Sequence, residues 1–277
     1  MSAASLPVAM FDSGVGGLTV LHECLVSLPQ EDFVYLGDTA CFPYGGRDPA
    51  RLRERIARIA ELLLERGAKL LVIACNTATS IGEDVARGVA AQAGVAVVPV
   101  VEPQAEIAAA ITANGRVGVL ATPNTVESGA YRRALEAQGR ALEVTEVEAP
   151  RLAPFIQEGA LFDEETMQMA REYCAPLRAA GVDTLILGCT HYPLVAPMLQ
   201  RILGRDVRLV AGGHAVAAAV QRALEGAGLG RPGGVEGRYD FLCTGDADAF
   251  RAIGTRFLQM PLGDIERVDL DAAFPGL

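Results

Sequence analysis

The sequence predicts an α/β fold of two similar open parallel-sheet domains with a site in the cleft between them, and three observations carry that prediction. Short runs rich in Val, Ile and Leu alternate with longer amphipathic stretches along the 277 residues, the pattern of strands buried on both faces between helices. A second set of four strands trails the first four by a nearly constant offset, which marks an internal repeat. The best-matched pair runs from Leu63 to Cys75 and from Leu177 to Cys189: a glycine, Gly67 or Gly181, ends a helix, a strand follows, and a cysteine stands eight residues after the glycine.

In chain order the strands are expected at 8–11, 34–36, 70–74, 97–101, 117–121, 143–147, 183–188 and 207–210, with a ninth at 239–243. Helices are expected at 18–28, 50–66, 79–93, 104–113, 127–138, 163–180, 193–203, 214–226 and 246–257. The first domain is read as residues 1–98 joined by 209–277, and the second as 99–208. In open parallel sheets ligands bind beyond the carboxyl ends of the strands. The polar motifs fall there: Asp12-Ser13, Gly37-Asp38-Thr39, Cys75-Asn76-Thr77, Thr122 and Cys189-Thr190-His191. The repeat makes Cys75 and Cys189 equivalent positions, 114 residues apart, so facing halves aim both cysteines at one ligand.

Composition excludes several classes. Hydrophobic residues make up 51% of the chain, enough for buried cores. A net charge of -10 without any basic run argues against nucleic-acid binding, which needs clustered Lys and Arg. The opening MSAASLPVAMF has no positive n-region, and no apolar segment approaches the roughly 20 residues of a membrane span, so the chain reads as cytoplasmic and not membrane-bound. Six cysteines without a CxxC pair, and only three histidines, indicate neither a disulfide framework nor a metal site.

The paired cysteines suit proton transfer. An ordinary thiol has a pKa of about 8.5, and a helix N-terminus or a donor lowers it, so thiol and thiolate are both accessible near neutral pH. Two such groups on opposite faces of a Cα–H invert it, one removing a proton and the other returning one. Donors must stabilise the charge that develops beside the Cα. Asn76, Thr77, Thr122, Thr190 and the backbone of the Gly14-Val15-Gly16-Gly17 turn offer them. Asp12 can take an ammonium or orient a thiol, and His191 can polarise Cys189.

A lone cysteine at a strand end is usually a small core residue, and Cys24, Cys174 and Cys243 are read that way. Cys75 and Cys189 differ because the repeat pairs them and polar residues follow each. The GVGG turn lacks a Walker lysine and dinucleotide spacing, and His22 and His214 read as surface or packing residues. Lys69 is the only lysine and sits at the amino end of its strand, which rules out a pyridoxal Schiff base at the site.

The motifs FDSGVGGLTV (11–20), GDTACFPYGGR (37–47), ACNTATS (74–80), ATPNTVESGAY (121–131) and LGCTHYPL (187–194) together resemble the bacterial glutamate racemases of the aspartate/glutamate racemase family. The resemblance spans most of the chain. It implies interconversion of L- and D-glutamate without cofactor or metal, supply of D-glutamate for peptidoglycan, and a homodimer. By position it implies that Cys75 and Cys189 are the acid/base thiols, assisted by Asp12 and His191. Asp12, Ser13, Tyr44, Gly45, Asn76, Thr77, Thr122, Thr125 and Thr190 would contact substrate.

The chain departs from that pattern in three places. Cys41 stands where relatives usually carry a basic residue, Gln157 stands where an acidic one is usual with Glu158 beside it, and VAGGHAV (210–216) is less polar than usual. A sister racemase acting on aspartate or a hydantoin would share fold and thiols, but the His after Cys189-Thr190 and the opening DSGVGG favour glutamate. A non-catalytic binding protein on the same scaffold would have lost one cysteine; both are present.

Overall fold

Residues 3–270 are described by a computed structural model. The described residues hold ten strands and eleven α-helices, mostly in alternation: β1 Val8–Asp12, α1 Leu18–Ser27, β2 Phe33–Gly37, α2 Pro49–Glu65, β3 Leu70–Ile73, α3 Asn76–Gln92, β4 Ala96–Pro99, α4 Val101–Ile111 and β5 Arg116–Ala121. They continue through α5 Pro123–Glu127, α6 Ala130–Glu136, β6 Glu143–Glu148, α7 Leu152–Glu158, α8 Glu164–Ala179, β7 Thr184–Gly188 and α9 Ala196–Leu203. β8 Arg208–Val210, α10 Gly212–Ala227, β9 Tyr239–Cys243, α11 Ala247–Leu258 and β10 Ile265–Arg267 complete the order.

The strands form two parallel sheets, one ordered β10-β9-β2-β1-β3-β4 and the other β6-β5-β7-β8. Shifting every strand number by four turns the segment β2-β1-β3-β4 into β6-β5-β7-β8, so the repeat seen in the sequence is a repeat of topology. β1, β3 and β7 are buried along their whole length, which is why they read as unbroken apolar runs rather than alternating ones. Gly67 and Gly181, which close the helices before β3 and β7, have φ of 83° and 66°. This left-handed conformation reverses the chain without the cost a side chain would bring.

One hydrophobic cluster runs through both sheets, joining Val8, Met10 and Val72 of the first to Val119, Leu185 and Ile186 of the second through α1, α4 and α10. A second cluster lies on the far face of the larger sheet, under α2 and α3. The two halves therefore meet across shared apolar packing, not across a linker. Among the described residues no helix is long and apolar enough to cross a membrane.

Some elements differ from the sequence expectation for local reasons. The helix expected at 127–138 is α6, which starts only at Ala130 because Gly129 takes a left-handed φ of 65°, and the short α5 before it was not expected. α3 begins at Asn76, not 79, since Cys75 itself caps it: its Sγ accepts from the Ala78 amide at 3.4 Å. The helix expected from 193 starts as a 3-10 turn over Tyr192–Val195, with α9 following. α7 and β10 carried no sequence signal, being seven and three residues long.

Candidate active site

The strand order 2-1-3-4 reverses direction between its first and third strands, and a crevice opens at the carboxyl ends of those two. In the larger sheet they are β1, ending at Asp12, and β3, followed by Cys75; in the smaller they are β5, followed by Thr122, and β7, followed by Cys189. The two crevices meet. A single small cavity is lined by Ser13, Phe42, Pro43, Tyr44, Gly45, Cys75, Asn76, Thr77, Thr122, Ala153, Cys189, Thr190 and His191, with a volume of about 20 Å³. That is room for a water but not for an amino acid, so the cleft is closed and its loops must part to admit a ligand. A much larger groove, about 880 Å³, lies elsewhere, between α3, α4, α6 and α10. Its charged residues largely pair with one another, as in Arg53–Asp84 and Arg222–Glu106, so size does not mark the chemistry here.

The halves touch closely because of one glycine. A Cβ on Gly16 would lie 2.3 Å from Thr190 Oγ1 and 2.5 Å from His191 Nδ1, so no side chain fits where the GVGG turn meets the segment after β7. Thr19 at the start of α1 donates to the Thr190 carbonyl at 3.0 Å, and Thr190 Oγ1 donates to Asp12 Oδ2 at 3.1 Å. The glycine turn thus serves close approach of two backbones rather than an anion cradle.

Around Cys75 the groups are polar and one is ionisable. Ser13 Oγ lies 3.7 Å from the sulfur, and the Ala78 amide caps it. Asp12, fully buried, accepts from the Gly14 amide at 2.9 Å, from Thr190, and from the Cys75 thiol. Burial raises the Asp12 carboxyl to about 6, against these hydrogen bonds, which favour the ionised form. Burial, with the nearby Asp12 charge, likewise pushes the Cys75 thiol up to about 12 and overrides the capping amide. The expectation of a readily ionised thiol near neutral pH therefore fails in the closed cleft. A thiolate forms there only if a neighbour takes the proton.

Around Cys189 the ionisable partner is replaced by a neutral ring. His191 Nδ1 lies 3.8 Å from the sulfur and its Nε2 lies 3.0 Å from Gln157 Oε1. The ring stacks on Phe42, centroids 5.2 Å apart, and meets the edge of Phe257 at 5.0 Å. Burial lowers its pKa to about 3, so the imidazole is neutral across the working range. Burial also holds the Cys189 thiol well above the ordinary thiol range, with the His191 backbone amide opposing.

Of the nine expected contact residues seven line the cavity, while Asp12 reaches it only through Thr190 and Thr125 only through its neighbours. Ser13, Thr77, Thr122 and Thr190 line the cavity directly. Thr77 and Thr122 hydroxyls lie 2.9 Å apart, and Thr125, which does not line the cavity, supports Thr122 from behind at 3.0 Å. Asn76 lines it too, but its amide nitrogen is committed to Gln104 Oε1 at 2.9 Å and the Tyr131 hydroxyl at 2.6 Å. Tyr44 presents its ring and backbone only, because its hydroxyl donates to Asp38 at 2.5 Å. Gly45 packs on Thr122, where a Cβ would sit 2.7 Å away.

Several residues of the site had no sequence assignment. Asp38 accepts from Tyr44, from Arg55 Nε and Nη2 at 2.5 and 2.6 Å, and from Thr244 at 2.7 Å, all buried. This network anchors the loop carrying Phe42 to Gly45, and Asn124 of the other half holds its far end through the Tyr44 and Arg47 carbonyls. Cys41 is buried, and the cation beside Asp38 is Arg55 from α2. Of the pair at 157 and 158, Gln157 reaches the site while Glu158 is exposed. Asp38, Asn124 and Tyr131 lay inside noticed motifs; Arg55 and Gln104 sit on helices with nothing local to distinguish them.

A family model described as Asp/Glu/Hydantoin racemase matches residues 21–220. A glutamate racemase of Geobacter metallireducens is 41% identical over 265 residues, covering 96% of this chain and 97% of its own. The crystal structure of a glutamate racemase isoform from Bacillus anthracis superposes with a TM-score of 0.91 at 31% identity, covering 96% of this chain and 98% of that one. A Francisella tularensis glutamate racemase in complex with D-glutamate superposes with a TM-score of 0.90 at 30% identity, covering 97% and 99%.

Proposed function

The chain belongs to the Asp/Glu/hydantoin racemase family, and from that premise we propose that it is a glutamate racemase that moves a proton on and off Cα with Cys75 and Cys189. The observation that carries this reading is the convergence of two thiols, from equivalent strand ends of two repeated sheets, on one cavity. The Francisella tularensis relative was solved with D-glutamate, which supports glutamate over aspartate as substrate.

In the direction that starts at Cys75, Asp12 takes the thiol proton and the resulting thiolate removes the α-hydrogen. Cys189 gives its proton to the opposite face, and the His191 backbone amide stabilises the thiolate left behind. One proton arrives on Cys75 and one leaves Cys189, so the reverse reaction starts from the enzyme form this one produces. The cavity-lining hydroxyls of Ser13, Thr77, Thr122 and Thr190, together with backbone amides, provide donors for the substrate carboxylate as negative charge spreads into it. No step calls for a metal or pyridoxal phosphate.

The same reading makes the protein a cytoplasmic homodimer that supplies D-glutamate for peptidoglycan. It divides the chain into one domain of residues 1–98 with 209–277 and another of 99–208, β8 standing on the seam. The test is incubation with L-glutamate, and separately L-aspartate, in D2O with chelator and without pyridoxal phosphate. Deuterium at Cα is followed by NMR and chirality by chromatography. Deuterated D-glutamate from L-glutamate alone is the expected result; no exchange with either substrate would overturn the proposal.

A further inference from the structure

We infer that Gln157 acts as a positioning residue that locks His191 in the tautomer protonated on Nε2, so that Nδ1 accepts the Cys189 thiol proton and holds Cys189 ready as the proton donor. The inference rests on the racemase reading for its chemical meaning, but its structural content stands on the ring alone.

Phe42 stacks on one face of the His191 ring and Phe257 meets the ring edge-on, while its two nitrogens find partners in the ring plane. There Nδ1 meets Cys189 Sγ and Nε2 meets Gln157 Oε1. A neutral imidazole carries one N–H, and an amide oxygen can only accept. The proton therefore belongs on Nε2, since the other tautomer sets two lone pairs against each other at 3.0 Å. The sulfur supplies an independent constraint. The His191 backbone N–H already points at it, and the thiol hydrogen, buried in turn, needs an acceptor, which Nδ1 provides. Backbone N–H to sulfur, S–H to Nδ1, and Nε2–H to Oε1 form a chain in which every donor has an acceptor. Turning the Gln157 amide over would make Nδ1–H a second donor to the sulfur and leave the thiol hydrogen without the ring as its acceptor.

The identity of residue 157 matters to this. A carboxylate in that place can carry negative charge against the ring and stabilise an imidazolium; a neutral amide cannot. With Gln157 the ring fixes direction without exchanging charge, and the resting enzyme is poised for the enantiomer whose α-hydrogen faces Cys75. α7 brings Gln157 to the ring, and its left-handed Gly159 ends that helix just beyond.

The test reads the ring directly. The chain has three histidines, so two-bond 1H–15N correlation on 15N-histidine-labelled full-length protein resolves each tautomer, and His191→Asn assigns its signal by loss. Substrate-free wild-type protein at neutral pH is expected to show His191 protonated on Nε2. The Gln157→Met variant, which keeps bulk and removes the acceptor, is expected to show a mixture of tautomers and a kcat/KM lower by ~10-fold, about one buried hydrogen bond. Rescue by Gln157→Asn is not expected, because the shorter amide falls short of Nε2. An Nδ1–H tautomer in the wild type, or an unchanged tautomer in Gln157→Met, would overturn the inference. Because the tautomer is read without substrate, its failure is distinct from failure of the racemase reading, which shows as absence of Cα exchange.

Discussion

Cys75 and Cys189 occupy the same place in a repeated fold, yet their surroundings differ in kind. Cys75 caps a long helix and shares its proton with a carboxyl poised to ionise near pH 6. Cys189 precedes a 3-10 turn and faces a ring that stays neutral to about pH 3. The repeat has conserved the backbone path, from the left-handed glycine through the buried strand to the sulfur, while the proton partners were supplied separately by each half. Two thiols acting on mirror-image substrates need opposed positions; they do not need identical chemistry.

The largest effects should come from the sulfurs. Cys75→Ser and Cys189→Ser are each expected to cut racemisation by about 10²–10⁴-fold, the usual worth of a positioned acid or base, while circular dichroism stays native. The comparison predicts more than loss. One remaining thiol can still exchange the α-hydrogen of the single enantiomer that faces it, and Cys75 has Asp12 to take its proton. Cys189→Ser should thus retain more one-sided deuterium incorporation than Cys75→Ser. Equal residual exchange would show that the two surroundings differ in structure but not in function.

The next effect concerns support. The loop carrying Phe42 to Gly45 hangs on Asp38 and Arg55, both without exposed side-chain surface, and through Phe42 it also backs His191 beside Cys189. Arg55→Met leaves a buried carboxylate uncompensated and is expected to destabilise the fold by about 3–5 kcal/mol, read as a lower urea midpoint. The double variant Arg55→Met with Asp38→Asn should recover part of that loss. A single variant as stable as wild type would mean the pair does not anchor the loop.

Arg55 also shows where the sequence stops being legible. It lies in PARLRERIARIAELLLE, one of four arginines on a helix whose charged face reads as solvent-facing, and only the tertiary fold reveals that this one turns inward. The sheets were legible because β1, β3, β5 and β7 are buried apolar runs, and the paired cysteines because Gly67 and Gly181 repeat at equal spacing. α7 was not, since seven residues containing Pro154 show no helical period. Gln157 was noticed as a departure from a family pattern, but its partner His191 is 34 residues away, and no spacing rule links them. The thiol pKa expectation failed for a related reason: a motif shows the helix N-terminus that lowers a pKa but not the burial that raises it.

A smaller effect separates the two sides by pH. The Asp12 carboxyl rises from 3.8 to about 6 on folding, so the stability it contributes is fully present below about 4 and lost as pH rises through 6. The size is about 3 kcal/mol as an order of magnitude. Asp12→Asn removes that dependence, so its stability relative to wild type should improve between pH 4 and pH 7, measured by denaturant midpoints. Wild-type kcat/KM should show an acid limb near pH 6 as Asp12 loses its ability to accept the Cys75 proton. The limb should vanish in the Asn variant, along with most activity. An unchanged pH profile in that variant would assign the limb to another group.

The smallest effect is the most discriminating. Because L- and D-glutamate have equal free energy, kcat/KM must be the same in both directions whatever the enzyme does; only kcat and KM taken separately can differ. An enzyme with Asp12 on one side and neutral His191 on the other favours one resting form, so its two kcat values should differ with KM differing in proportion. Gln157→Glu places a carboxylate against His191 Nε2, which favours the imidazolium and allows Cys189 to ionise beside it. The variant should draw the two kcat values together by up to ~10-fold, about 1.4 kcal/mol, measured by circular dichroism from either pure enantiomer. If the kcat ratio is already one in the wild type, the difference between the two thiols is confined to structure. If it differs and Gln157→Glu leaves it fixed, the asymmetry arises at Cys75 alone.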